Sequence, residues 1–207
     1  HQSGRKSNVY IVAHPNFIGI YPDVISREEA RSRLGLAPDA TVFSFVGGIR
    51  PNKRVLELIK AFSSLENDEA RLLIAGKPWT PAEYVEAVQA EALLDSRISV
   101  KATHIPDDEL QIYLKAADAV VLPGSDYLAS SSIVMALSFG LPVIVPQFGC
   151  LKEIPSDVAI HFDPNDEGDL AAAFVRAIHS DLAGMGRIAY EYVSRYTREQ
   201  FVSETLA

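Results

Sequence analysis

Cysteine is almost absent. One residue, Cys150, stands in a chain of 207, so no disulfide can close within the chain and no cysteine cluster can hold zinc. That fits a reducing compartment. No apolar run reaches the ~20 residues that a membrane-spanning helix needs, and the start carries no signal-peptide pattern. Positive charge is in the minority: 19 Lys and Arg against 27 Asp and Glu leave a net charge of −8, which argues against nucleic acid as the main partner. Several motifs are also missing. There is no G-x-G-x-x-G after the first strand, no G-x-x-x-x-G-K-[ST] and no G-x-S-x-G, so nicotinamide binding, a P-loop and a hydrolase elbow are unsupported. Nor is there a D-x-D, the acidic pair that commonly clamps a divalent metal on a diphosphate. Any phosphate charge would then fall to Arg, Lys and helix dipoles. The first residue is His, not Met, so the sequence is expected to be part of a longer protein.

What is present is regular alternation. After a polar start, "NVYIVAHPNF" reads as a short strand ending at a Pro turn, and His14 before Pro15 reads as structural. "SREEARSRLGL" opens on a capping box, Ser26 and Glu29, so a helix starts there. "TVFSFVGG" (41–48) is a strand, followed by a helix from about Lys53 to Leu65. "ARLLIAGK" is a strand; "TPAEYVEAVQAEALL" is a helix with Thr80 as N-cap, Pro81 in the first turn and Glu83 closing the box. "RISVKA" and "PDDELQIYLKAA" repeat the pattern, as do "DAVVLPG", "SSIVMALSF" and "PVIVP". "VAIHF" is a last strand, and three helical stretches close the chain from about Glu167. The strands are continuous apolar runs, the mark of a parallel sheet covered on both faces. Strand–helix alternation with short connections predicts an α/β fold: a doubly wound, Rossmann-like parallel sheet of six or seven strands. The stripe Ile133, Val134, Leu137 reads as core, and Cys150 as a small apolar residue.

In an open parallel sheet, ligands bind beyond the carboxyl ends of the strands. The loops at that edge are "GGIRPNK", "GKPWTP", "ATHIPDD", "PGSDYLASSS" and "PQFGCLKE". Two look suited to an anion. "GGIRPNK" offers Gly47 and Gly48 for close backbone approach, then Arg50 and Lys53 before a helix. "PGSDYLASSS" puts Ser130, Ser131 and Ser132 at a helix start, where free N–H groups and the helix dipole favour phosphate. Each has a bland reading: an N-cap for the serines, a solvated loop for the cations. The functional reading gains from their falling on adjacent loops. His104 is as good a loop filler as a base contact, and Asp126 is as good a turn former as a ligand.

Four segments carry a resemblance. "VFSFVGGIRPNKRVLELIKAF", "RLLIAGKP", "IPDDELQIYLKAADAVVLPGS" and "VMALSFGLPVIVPQFGCLKEIP" are similar, in order and spacing, to the C-terminal, donor-binding domain of retaining glycosyltransferases with the GT-B fold. The nearest subgroup is the bacterial surface-polysaccharide transferases with a serine-rich donor loop. The resemblance implies the C-terminal half of a GT-B fold: a linker and first-strand region at 1–22, a nucleotide-sugar domain at 23–195, and a helix at 196–207 packing toward a second domain. It implies sugar transfer, with retention, from a UDP-, GDP- or ADP-sugar to an acceptor saccharide or lipid-linked saccharide held by that second domain. Neither metal nor cofactor is expected, and the isolated chain is expected to be inactive. The setting implied is cytoplasmic, either free or, in the full-length protein, peripheral at the inner membrane face. Arg50 and Lys53 would meet the diphosphate, Gly47, Gly48 and Ser130 to Ser132 would complete its cradle, Asp126 would reach a sugar hydroxyl, and His104 and Ile105 would lie beside the base. Two family glutamates are replaced by Tyr127 and Met135, and the family's Arg beside the glycine by Gly48. The alternatives are a non-catalytic sugar-nucleotide or scaffolding module, and a GT-B epimerase or phosphorylase.

Overall fold

The computed structural model describes residues 13–124 and 130–206. The strand expected within "NVYIVAHPNF" falls largely outside them, and Ala13 to Phe17 are loop. The first helix, α1 (Arg27–Arg33), starts where the capping pattern puts it, with the Ser26 hydroxyl accepting from the Glu29 N–H. The Glu29 carboxylate does not close the box; it pairs with Arg33 one turn on.

Six strands follow: β1 (Thr41–Val46), β2 (Ala70–Ala75), β3 (Ile98–Lys101), β4 (Ala119–Val121), β5 (Val143–Pro146) and β6 (Ala159–Phe162). They form one parallel sheet in the order β3-β2-β1-β4-β5-β6. The helices between them are α2 (Val55–Ser63), α3 (Ala82–Ala92), α4 (Leu110–Lys115) and α5 (Ser131–Ser138). After β6 come α6 (Asp169–Ile178), α7 (Leu182–Ser194) and α8 (Arg198–Leu206). Growth of the sheet leftward through β2 and β3, then rightward through β4 to β6, puts right-handed crossovers on opposite faces. Accordingly α2 packs with α3 and α6, while α4 packs with α1 and α5 with α7.

Burial on both faces follows from the apolar strands. Val42, Phe43 and Phe45 of β1 and Val143 to Val145 of β5 are fully buried. Between β1, α2 and α6, the rings of Phe43, Phe62 and Phe174 meet edge to face, with centroids 4.8–6.4 Å apart, the geometry aromatic quadrupoles favour. Between α5 and α7, close packing rests on a glycine: a Cβ on Gly186 would lie 2.2 Å from the Gly140 carbonyl oxygen.

Two local expectations need correction. Thr80 does not cap α3; Pro81 takes the cap position, and the Thr80 hydroxyl is buried without a hydrogen-bond partner. The extended Pro81 backbone delays the helix start by one residue, which carries Thr80 out of reach. Cys150 is exposed rather than filling the core, because it sits on a 3₁₀ turn (Gly149–Glu153) after β5.

One charged cluster has no local signal in the sequence. Arg31 on α1 is 2% exposed and donates to the Pro38 and Ala116 carbonyls and to Asp118 at 2.8 Å. The same Asp118 carboxylate accepts from Arg27 and from the Val42 N–H of β1. Burial pushes the Arg31 pKa down, and Asp118 opposes that shift. The cluster ties α1 to the amino ends of β1 and β4. Removing one partner of a buried pair costs about 3–5 kcal/mol; Asp118 is partly exposed, so Arg31→Ala is expected to cost about 3 kcal/mol in urea unfolding. A midpoint equal to that of the wild type would show that the cluster contributes nothing.

Candidate functional site

The strand order reverses between β1 and β4, so the loops leaving these two strands diverge and leave a crevice, the place where open α/β sheets bind ligands. The crevice is built from backbone. Beyond the end of β1, Gly47 donates to the Ala75 carbonyl, and beyond β2, Gly76 donates to Lys101. The pairing of the two loops continues: Ile49 donates to the Lys77 carbonyl and Trp79 to the Ile49 carbonyl, each at 3.0 Å. Such close passage excludes side chains. A Cβ on Gly76 would lie 1.8 Å from the Gly47 carbonyl oxygen, and one on Gly48 would lie 2.8 Å from Cδ1 of Trp79. A Cβ on Gly47 would meet the Ser132 hydroxyl at 3.3 Å, so the end of β1 and the start of α5 touch across the reversal.

A cavity of about 200 Å³ opens there. Gly47, Gly48, His104, Ile105, Ser131 and Ser132 all line it, in keeping with the grouping that strand direction implies. Met135 lines it too, 8% exposed, on the same side of α5. Ser130 occupies the N-cap position of α5 but its side chain makes no capping bond; it lines a different, apolar cavity between α5 and α7. Arg50 and Lys53, expected to meet the diphosphate, are not among the residues that line this cavity. Arg50 is exposed on extended backbone, and a 3₁₀ turn, Pro51–Lys53, carries the chain away from the edge toward α2. Asp126 and Tyr127 lie outside the described residues.

The cavity also takes side chains that no motif pointed to. Lys77 and Trp79 come from "GKPWTP", a loop placed at the ligand edge but given no role by its sequence; among the described lining residues Lys77 is the one Lys or Arg. Phe17 and Tyr21, with ring centroids 5.6 Å apart, come from the segment before α1. That segment is pinned by Phe17 N–H donating to Ser138 of α5 and by Asn16 N–H donating to the Tyr196 carbonyl after α7. No local sequence signal announces such a long-range return. Among the described residues no cluster of three or more His, Cys, Asp or Glu side chains could hold a metal ion, and no helix is long and apolar enough to cross a membrane.

With fold and crevice defined, comparison with known proteins is decisive. The family described as glycosyl transferases group 1 matches residues 26–200. The chain belongs to this family. It is 29% identical over 195 residues to the D-inositol 3-phosphate glycosyltransferase of Mycobacterium sp. (strain KMS), covering 90% of this chain and 43% of that protein. The chain thus spans less than half the length of the curated relatives it matches. Among solved structures, the C-terminal domain of the group 1 family protein LpcC from Francisella tularensis superposes with a TM-score of 0.70 at 18% identity, over 86% of this chain and 96% of that one. Anabaena HepE, solved in complex with UDP and glucose, superposes with a TM-score of 0.76 at 19% identity, over 87% of this chain and 51% of that one. The recognition of a GT-B glycosyltransferase domain with a Rossmann-like parallel sheet is borne out.

The glycine contacts give a stability prediction. Gly76→Ala must push β1 and β2 apart at their ends. Overpacking costs about 1–3 kcal/mol, and each kcal/mol lowers the melting temperature of a chain this size by about 2–4 °C. A thermal melt matching the wild type would show that the two strand ends are not in close contact.

Proposed function

We propose that this domain binds a nucleoside diphosphate sugar in the crevice at the strand-order reversal and serves as the donor half of a retaining glycosyltransferase. One observation carries the reading. In a group 1 family fold, the backbone of Gly47 and Gly48, the α5 start at Ser131 and Ser132, and the Lys77 side chain border a single cavity. Breaking the bond to the sugar loads negative charge on the departing diphosphate. Fixed donors and a cation at that point stabilise the charge as it develops, usually the largest contribution to such a rate. Helix starts suit phosphate because their first N–H groups lack intrahelical partners. On this reading no metal is needed at the diphosphate. Arg50 and Lys53 are assigned to it from the loop that follows Gly48, outside the lining residues, and His104 with Ile105 to the base. The complex of HepE with UDP and glucose supports a nucleoside diphosphate sugar as the ligand class here.

Residues 23–195 are, on the same reading, the donor domain. The acceptor, a saccharide or lipid-linked saccharide, would be held by a second domain, with 1–22 as the connection and 196–207 packing toward it. The isolated chain would then bind donor but transfer little, and the setting would be the cytoplasm or its membrane face. A second reading, a nucleotide-binding domain without transferase activity, is favoured by Met135. It borders the cavity where the resemblance places a glutamate, and a thioether is a weak hydrogen-bond acceptor.

Calorimetric titration of the chain with UDP, GDP and ADP is expected to show saturable binding of at least one, with weaker binding of the matching monophosphate. No binding of any of the three would sink the proposal. The Arg50→Ala, Lys53→Ala double variant is expected to lose affinity, by a few orders of magnitude at most, since charge-assisted contacts contribute ~1.5–3 kcal/mol each. Unchanged affinity would return both residues to a solvated loop. Sugar transfer by the full-length protein, with the product's anomeric configuration read by NMR, separates the transferase from the second reading.

A further inference from the structure

Trp79 is the chain's one tryptophan. It is 64% exposed yet lines the cavity, an unusual place for the most costly aromatic ring to leave in water. Its backbone is held in place. The Trp79 N–H donates to the Ile49 carbonyl, Pro78 bridges to Ile49, and Gly48 has no side chain where Cδ1 of the indole lies. The Lys77 ammonium lies 4.3 Å from the centroid of the indole ring. The chain thus brings a flat aromatic surface and a cation together at the rim of the crevice.

We infer that Trp79 is the stacking platform for the base of the bound nucleoside diphosphate, and that Lys77 leaves the indole for the diphosphate when it binds. This rests on the reading above. Two physical comparisons support it. An exposed cation–π contact is weaker than a charge-assisted hydrogen bond to a phosphate oxygen, so an arriving diphosphate wins the ammonium. The uncovered face of the indole then matches a planar base, and such stacking tolerates any base because every base has a π-face. Trp79 thus contributes affinity that is indifferent to base identity, while Lys77 contributes affinity for the diphosphate. Gly48 belongs to the same device: the missing side chain makes room for the indole.

Because Trp79 is the sole tryptophan, its fluorescence reports on this site alone. The chain is titrated with UDP, GDP and ADP, with inorganic pyrophosphate, and with uridine, each in parallel with calorimetry. The nucleoside diphosphate that binds is expected to change the emission along the calorimetric isotherm. Pyrophosphate is expected to change it less, through Lys77 alone. Trp79→Leu is expected to weaken nucleoside diphosphate binding about tenfold and pyrophosphate binding less than twofold; Trp79→Phe, which keeps a ring, is expected to recover most of the loss. Lys77→Ala is expected to weaken both ligands. Circular dichroism melts confirm folding, which an exposed residue leaves intact. Calorimetric binding with unaltered emission, or with wild-type affinity in Trp79→Leu, overturns the inference and leaves the proposed function standing. Absence of calorimetric binding by the wild type overturns both.

Discussion

All six strands point the same way, and most of what this domain offers follows from that constraint. Parallel strands need crossovers, crossovers place helices on both faces, and both faces must then be apolar. The carboxyl ends of β1, β2, β3, β4 and β5 consequently share one edge. Where the order turns from β1 to β4, the loops part. The crevice is a product of topology before any side chain is considered.

Glycine then decides how narrow the crevice is. Gly76 lets the ends of β1 and β2 pass at contact distance, and at Gly47 the start of α5 comes near, though less closely. On the proposed reading, a ligand in this crevice would lie beside the Gly47–Gly48 backbone and the start of α5. That matches the proposed ligand class, because a diphosphate presents acceptors on every side and needs donors more than shape. It also makes sense of the position of Met135. The wall of α5 that faces the cavity is apolar at Met135, so on the proposed reading affinity would come from the helix start, from Lys77 and from the aromatic rings that line the cavity.

The amino edge of the sheet is handled differently. There the buried Arg31 and the partly exposed Asp118 join α1, β1 and β4 through charge-assisted bonds. The carboxylate accepts from Arg27, Arg31 and the Val42 N–H, so its oxygens are well satisfied, as a partly buried charge requires. The segment before α1 crosses between the two edges: it begins against α5 and α7, and delivers Phe17 and Tyr21 to the crevice on its way to α1.

The sequence by itself determined the sheet. Runs such as "VFSFV", apolar apart from Ser44, and "PVIVP" are buried throughout only in a strand covered on both sides. Capping chemistry marked α1 at Ser26, since that signal is local, but misplaced the start of α3, where Pro81 alters the backbone. That Gly47, Gly48, His104, Ile105, Ser131 and Ser132 lie near one another was legible because strand direction alone brings their loops to one edge, where they line one cavity. Tertiary structure decided the rest. Which way Ser130 faces, that Arg50 and Lys53 stand outside the cavity lining, and that Phe17, Tyr21, Lys77 and Trp79 stand within it all depend on loop backbone angles and on contacts between distant segments. Neither leaves a periodic trace in the chain: a loop residue's direction is set by its neighbours in space, and those are fixed only when the sheet has closed.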